Sequence, residues 1–160
     1  MRRPLFMRLK TASLIFIVPL VFGLDRLSKW WVLNSLGEGE SLRFTFFFYL
    51  TRVNNTGAAF GLFKNFRLFL VATAVVCVAA LSAVLWRRHS SSAKGPAPAD
   101  AASLLIVGGA LGNLYDRLRY GYVIDFLDFR VWPVFNAADA SITIGIGLVF
   151  LQIFYRSQSR

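Results

Sequence analysis

The fold this sequence predicts is an all-α membrane protein of four transmembrane helices, with a small β-sheet in the first outer loop. Three observations predict it. Of its 160 residues 56% are hydrophobic and only 16% charged, which leaves more apolar surface than a soluble domain of this length can hide. Four windows are apolar over about the 20 residues that a bilayer crossing requires. Between the first two, side chains alternate with the period of a strand.

The first window covers about residues 9–32. It resembles a cleavable leader, but it is too long, carries Asp25 and Lys29 near its end and lacks a small-x-small cleavage site. An outer segment follows at about 41–63, SLRFTFFFYLTRVNNTGAAFGLF. Leu42, Phe44, Phe46, Phe48 and Leu50 alternate there with Arg43, Thr45, Phe47, Tyr49 and Thr51. That pattern predicts a strand, with Asn54-Asn55-Thr56-Gly57 turning into a second one. The sheet is expected to lie at the outer interface with its aromatics among the lipid headgroups; a plain aromatic anchor reads the same way. Windows two to four cover about 66–86, 102–118 and 137–155. Gly108 and Gly112 in the third, and Ala137, Ser141 and Gly145 in the fourth, repeat every four residues, a ladder that lets helix backbones approach. The whole of 1–160 reads as one domain.

The formal charge of +10 would suggest nucleic acid in a soluble protein, but its distribution excludes that class. Arg2, Arg3, Arg8 and Lys10 precede the first window, Arg87, Arg88 and Lys94 lie between the second and third, and Arg156 and Arg160 end the chain. An even number of spans puts these three short segments on one side, the cytoplasmic side by the positive-inside rule, with both termini inside. Cys77 and His89 are the sole residues of their types. Disulfides, Ser-His or Cys-His mechanisms and a histidine-rich metal site are therefore not expected.

What remains for chemistry is carboxylates and amides. Asp125 stands between Ile124 and Phe126, and Asp139 opens the fourth window. An ionisable group beside hydrocarbon is a functional candidate; two of them at one face can share a proton and activate water. Asp139 has a structural alternative, since Asn136 and Asp139 have the spacing of a helix cap and its N3 partner. Asp25 and Lys29 form an i,i+4 ion pair. Asn113, Asp116 and Arg117 share a face at the end of the third window, where Asp116 and Arg117 could also be a helix-end pair. Four-span topology collects all of these with Asn55 at the outer face, whereas the inner linker RRHSSSAKGPAPAD (87–100) carries only Asp100. Two rivals stand beside a peptidase: a proton or ion carrier, which would spread acids across the bilayer, and a metal-dependent lipid transferase using Asp125 and Asp128. A structural adaptor is a third.

The ordered set DRLSK (25–29), NNTGAAF (54–60), GNLYDR (112–117), GYVIDF (121–126) and FNAADAS (135–141) resembles that of the bacterial lipoprotein signal peptidases, the signal peptidase II family. The resemblance runs from Asp25 to about Ser141. It implies an intramembrane aspartyl endopeptidase of the bacterial inner membrane, cutting prolipoproteins before a diacylglyceryl-modified cysteine at the periplasmic face. It implies Asp125 and Asp139 as the catalytic dyad. Asn55, Gly57, Asn113, Arg117 and Asn136 would line the site, with Asp25, Lys29 and Asp116 in support. No metal or cofactor is implied. The expected partners are the lipid-modified substrates and membrane lipid, with no nucleic acid, and the expected state is a monomer. The link between the aspartates, FLDFRVWPVFNAA, is shorter than is common in that family.

Overall fold

The computed structural model describes residue 14 and residues 16–57, 66–90 and 98–158. Among these residues four helices, α1 (Ile17–Ser35), α2 (Arg67–Ser90), α3 (Pro98–Arg119) and α4 (Ala137–Gln158), are joined with three strands, β1 (Ser41–Arg43), β2 (Tyr49–Asn55) and β3 (Val123–Asp128). Helix α3 is the centre of the bundle and packs on α1, α2 and α4.

The burial pattern is inverted relative to a water-soluble bundle. On α1 the buried residues are Asp25, Lys29 and Val32, while Leu20, Leu24, Leu27 and Trp30 face outward. Helix α2 is apolar over 22 residues with a mean hydropathy of 2.7, and none of them is buried. Helix α4 offers a 19-residue apolar stretch of mean hydropathy 1.8. Both are long enough to cross a membrane. Helices α1 and α3 fall short of that measure. Asp25, Arg26 and Lys29 interrupt the first, and Asp100 and Asn113 the second. The polar residues are turned inward, so the outer surfaces of α1 and α3 stay largely apolar.

Close approach of the helices depends on the small-residue ladders. A Cβ on Gly108 would meet Val21 at 2.9 Å, and one on Gly112 would meet the Asp25 carboxylate at 2.6 Å and Ala138 at 3.3 Å. A Cβ on Gly145 would strike Ile106 and the Ala102 carbonyl. Ser141 Oγ donates to the Leu105 carbonyl at 2.7 Å, tying α4 to α3. At the opposite end Arg88 on α2 pairs with buried Asp100 in the first turn of α3 at 3.1 Å. The linker expected at 87–100 is thus partly helical, and its residues 91–97 lie outside the described ones.

The sheet differs from expectation in two ways. The alternating run is two short strands, because the chain turns at Phe44–Phe48. Thr45 Oγ1 accepts from the Phe48 amide at 3.1 Å, and the amides of Phe44 and Thr45 both donate to the Phe48 carbonyl at 3.0 Å. A threonine hydroxyl stabilising a local turn outcompeted the period-two pattern. The second strand expected beyond Gly57 lies outside the described residues. The third strand comes instead from the other outer loop: the order is β1-β2-β3, all antiparallel. In the register Asn55 pairs with Val123 and Val53 with Asp125, with an irregularity between Leu50 and Val53. Val32 of α1, Leu36 just past its end, and Ile124 and Phe126 of β3 form a buried apolar cluster.

Gly112→Ala should lower the melting temperature, because an added methyl must displace the Asp25 carboxylate or Ala138; overpacking of this kind costs about 1–3 kcal/mol. Gly147→Ala, with nothing within 4 Å of the added carbon, should leave it unchanged or slightly raised. Equal melting of the two variants in detergent would show that the α1–α3–α4 junction is not tightly packed.

Candidate active site

A backbone pairing sets the site. Phe135 bridges to Leu127 on the free edge of β3: its carbonyl accepts from the amides of Phe126 at 2.9 Å and Leu127 at 2.7 Å, and its own amide donates back to the Leu127 carbonyl at 3.1 Å. Asn136, the next residue, is thereby held beside Asp125 as it enters α4. Its Nδ2 donates to Asp125 Oδ1 at 2.6 Å and to Asn113 Oδ1 at 3.1 Å. Its Oδ1 accepts from the Asp139 amide at 2.9 Å, and its amide donates to Asp139 Oδ2 at 3.3 Å. These last two bonds make a reciprocal capping box. The capping alternative for Asn136 and Asp139 is therefore real, and the capped pair faces the other candidate residues as well.

Asp125 and Asp139 are each held by amides. Asn55 lies one ladder step from Asp125 on the same face of the sheet, and its Nδ2 donates to Asp125 Oδ2 at 2.9 Å. Asn113 Nδ2 donates to Asp139 Oδ1 at 2.7 Å. The two aspartates are bridged by Asn136 and, one bond further, by Asn113. Asp128 is excluded from this arrangement. Three residues along a strand from Asp125, it faces the other side, where it accepts from Thr51 Oγ1 at 2.7 Å and from the Arg130 amide at 2.8 Å. Asp125 and Asp128 therefore do not converge on a common cation, and the pairing that the transferase reading requires is absent.

Behind the amides is a cluster of four charges. Lys29, 1% exposed, donates to Asp25 Oδ1 at 3.0 Å, Asp116 Oδ2 at 2.7 Å and Asn113 Oδ1 at 3.0 Å. These are all the protons it has. Asp25 also caps the second residue of α4, accepting from the Ala138 amide at 3.1 Å, and Asp116 accepts from the Ile124 amide of β3 at 3.2 Å. The alternative reading of Asp116 and Arg117 as a helix-end pair is not what the structure has. Asp116 faces inward to Lys29 and Arg26, at 2.6 Å from the latter. Arg26 was not legible as part of this cluster. It bonds Asp25 at 2.6 Å and the Gly112 carbonyl at 3.2 Å, with Tyr115 beneath its guanidinium. Its position directly after Asp25, on the turn that carries Lys29, was the available signal.

A cavity of about 950 Å³ opens onto the aspartates. Asp125, Asp139, Asn55, Asn113 and Arg117 contribute polar groups, while Ile142 and Trp132 are among its apolar walls. Gly57 takes part through its backbone: its amide donates to Asn55 Oδ1 at 2.9 Å, and its carbonyl accepts from Arg117 Nη2 at 3.0 Å. That Asx turn orients the Asn55 amide toward Asp125. Burial pushes Asp125 up to about 7, and the neighbouring Asp139 charge pushes the same way against the amide bonds of Asn55 and Asn136.

The chain matches the model of a known family, Signal peptidase (SPase) II, over residues 17–155. It is 42% identical over 144 residues to a lipoprotein signal peptidase of Halothermothrix orenii, covering 89% of this chain and 95% of the relative. With the lipoprotein signal peptidase of Clostridioides difficile it shares 40% over 150 residues, covering 91% and 98%. A bacterial membrane enzyme solved at 2.3 Å superposes with a TM-score of 0.84 at 27% identity, covering 93% of this chain and 92% of that one.

The raised affinity of Asp125 for its proton has a stability consequence with a definite sign. The folded state holds the proton to about pH 7 and the unfolded chain only to about 4. Stability from this group is therefore complete below pH 4 and is lost as pH rises through 7. Asp125→Asn, which needs no proton, should melt higher than the parent at pH 8, and the gap should close toward pH 5. A gap independent of pH would show that Asp125 does not ionise in that range.

Proposed function

The chain belongs to the signal peptidase II family, and from that premise we propose that Asp125 and Asp139 are the catalytic carboxylates of its reaction. The activity follows from membership: this is an aspartic peptidase that removes signal peptides from prolipoproteins. One observation carries the assignment of residues. The two aspartates share the wall of one large cavity and are bridged by a single side chain, Asn136.

The reaction follows from their charges. Two coupled carboxylates in an apolar setting titrate as a unit and hold one proton near neutrality. Asp125 keeps it, and Asp139, at the N-terminal turn of α4 where the helix dipole favours negative charge, carries the anion. A water between them gives a proton to Asp139 as its oxygen attacks the scissile carbonyl, whose oxygen takes a hydrogen bond and then the proton from Asp125. The tetrahedral intermediate collapses as the C–N bond breaks: the Asp139 proton passes to the departing amine, and one hydroxyl of the diol returns its proton to Asp125 as the new carboxyl group forms. Asn55, Asn113 and Asn136 hold the carboxylates, and Arg117 and the Gly57 backbone shape the wall. No metal or cofactor takes part in this scheme.

The substrate bond is the one preceding a diacylglyceryl-modified cysteine. The apolar walls of the cavity suit acyl chains lying in the bilayer between helices. The outward leucines and tryptophans of α1 support a membrane crossing there despite its charges, and the buried polar face of α3 supports the same for that helix. On this reading all four helices span the bacterial inner membrane, both termini are cytoplasmic and the site faces the periplasm. The exposed Phe44, Phe46 and Phe47 then rest at the lipid interface. One domain acts as a monomer on lipid-modified precursors, and nucleic acid is not a partner.

Asp125→Asn and Asp139→Asn should each cut cleavage of a lipid-modified precursor by roughly 10²- to 10⁴-fold or more, with folding and insertion retained. Asp128→Asn should keep most of the rate. Near-normal turnover by Asp139→Asn would reduce that residue to a helix cap and sink the assignment. Asn113→Ala and Asn136→Ala should lose part of the rate, since an unpaired buried partner costs about 1–3 kcal/mol. Activity should persist in strong chelator; loss restored by a divalent cation would point to metal-dependent chemistry instead.

A further inference from the structure

Lys29 has a partner that ion pairing does not explain. Asp25 and Asp116 already receive Arg26, which donates to both at 2.6 Å, and the four charges sum to zero. The third proton of Lys29 goes to a neutral group, Asn113 Oδ1, at 3.0 Å. A primary amide is nearly symmetric in shape, so its two orientations differ only in which end donates. With Oδ1 held against Lys29, Nδ2 must face Asp139, to which it donates at 2.7 Å. The flipped amide would set an N–H group against the ammonium and a carbonyl oxygen against the carboxylate, repulsive on both sides.

The choice propagates. Asn113 Oδ1 also accepts from Asn136 Nδ2 at 3.1 Å, which fixes the second amide with Nδ2 toward Asp125 and Oδ1 toward the Asp139 amide. From Lys29 outward, each donor is set by the acceptor before it, and both chains of bonds end on the two carboxylates. We propose that Lys29 is a positioning residue for cleavage, acting through Asn113 to hold both asparagine amides with their N–H groups toward the aspartates. It touches neither carboxylate and no substrate, and its effect is on the reaction rate and not only on the fold. The proposal rests on Asp125 and Asp139 being the dyad.

The test is a double-mutant cycle on cleavage rate. Lys29→Met should lower kcat by roughly 10- to 100-fold, as losing an orienting hydrogen bond behind a metal ligand does, with KM little changed. Asn113→Ala should lower it further, and the double variant should be no slower than Asn113→Ala alone. Arg26→Gln removes a cation from the same two aspartates without touching Asn113, so it should lower the melting temperature and leave kcat near normal. Asp125 is faced by Asp139 on α4, Lys29 on α1, Arg117 on α3, and Asn55 and Asn136. Loss of the Lys29 charge should therefore move the alkaline limb of the rate profile upward, a shift that a packing role would not cause.

If Lys29→Met does not fold, the charge-neutral pair Lys29→Met with Asp116→Asn keeps the Arg26–Asp25 bridge, and it is compared with Asp116→Asn alone. Additive losses in the cycle, or equal losses of kcat for Arg26→Gln and Lys29→Met, would overturn the inference. Asp125→Asn and Asp139→Asn run beside it as separate controls. If they stay active the dyad itself is wrong; if they are inactive while the cycle is additive, only the role of Lys29 fails.

Discussion

One buried ammonium holds this structure together. Lys29 sits on α1 with 1% of its surface exposed, and its three protons reach a carboxylate on its own helix, a carboxylate on α3 and an amide on α3. Those two carboxylates then accept backbone amides from the start of α4 and from β3. Four elements are thus fixed about one cation. A buried charge stripped of one partner costs several kcal/mol, so each member of this cluster adds to the stability of the junction. Gly112 is part of the same constraint: only the absence of a side chain there lets Asp25 reach across to α4.

Much of this was legible in the sequence, for a physical reason. Charges and amides inside apolar windows are few and expensive, so each is informative, and four-span parity was enough to collect Asp25, Lys29, Asn113, Asp125, Asn136 and Asp139 at one end. Helix contacts at Gly108, Gly112 and Gly145 were legible because small residues at spacing four have few other uses in apolar helices. What failed was local and aromatic. The run from Leu42 to Thr51 alternates with period two except at Phe47, yet a threonine hydroxyl and a backbone turn at Phe44–Phe48 fold it back on itself. Strand β3 was hidden because YVIDF continues an apolar run. Periodicity cannot tell a fully buried strand from the end of a helix.

Pairings between charges were the other blind spot. Asp116 and Arg117 are neighbours in sequence and part in space: one turns inward to Lys29, the other to the cavity and the Gly57 carbonyl. Successive residues on a helix point about 100° apart, so sequence adjacency opposes contact. Arg26 was missed for the converse reason. A long side chain beside Asp25 can bend back onto its neighbour's carboxylate while reaching α3, and its place directly after Asp25 does not show which way it bends.

The division of labour between charges and amides follows from what two coupled carboxylates need. A lysine or arginine bonded directly to Asp125 or Asp139 would favour the ionised form of both, and the single shared proton on which the proposed reaction depends would be lost. Neutral amides orient a carboxylate with far less electrostatic bias. The cations stay one bond removed: Lys29 makes its hydrogen bond to Asn113 and to neither of these aspartates, and Arg117 lines the cavity but gives its hydrogen bond to a backbone carbonyl. Arg26 and Lys29 are matched one for one by Asp25 and Asp116, so the cluster adds rigidity with little net field. Three asparagines around two aspartates, backed by a neutralised ion cluster, let a carboxylate 2% exposed keep its proton to about 7 while remaining fixed in place.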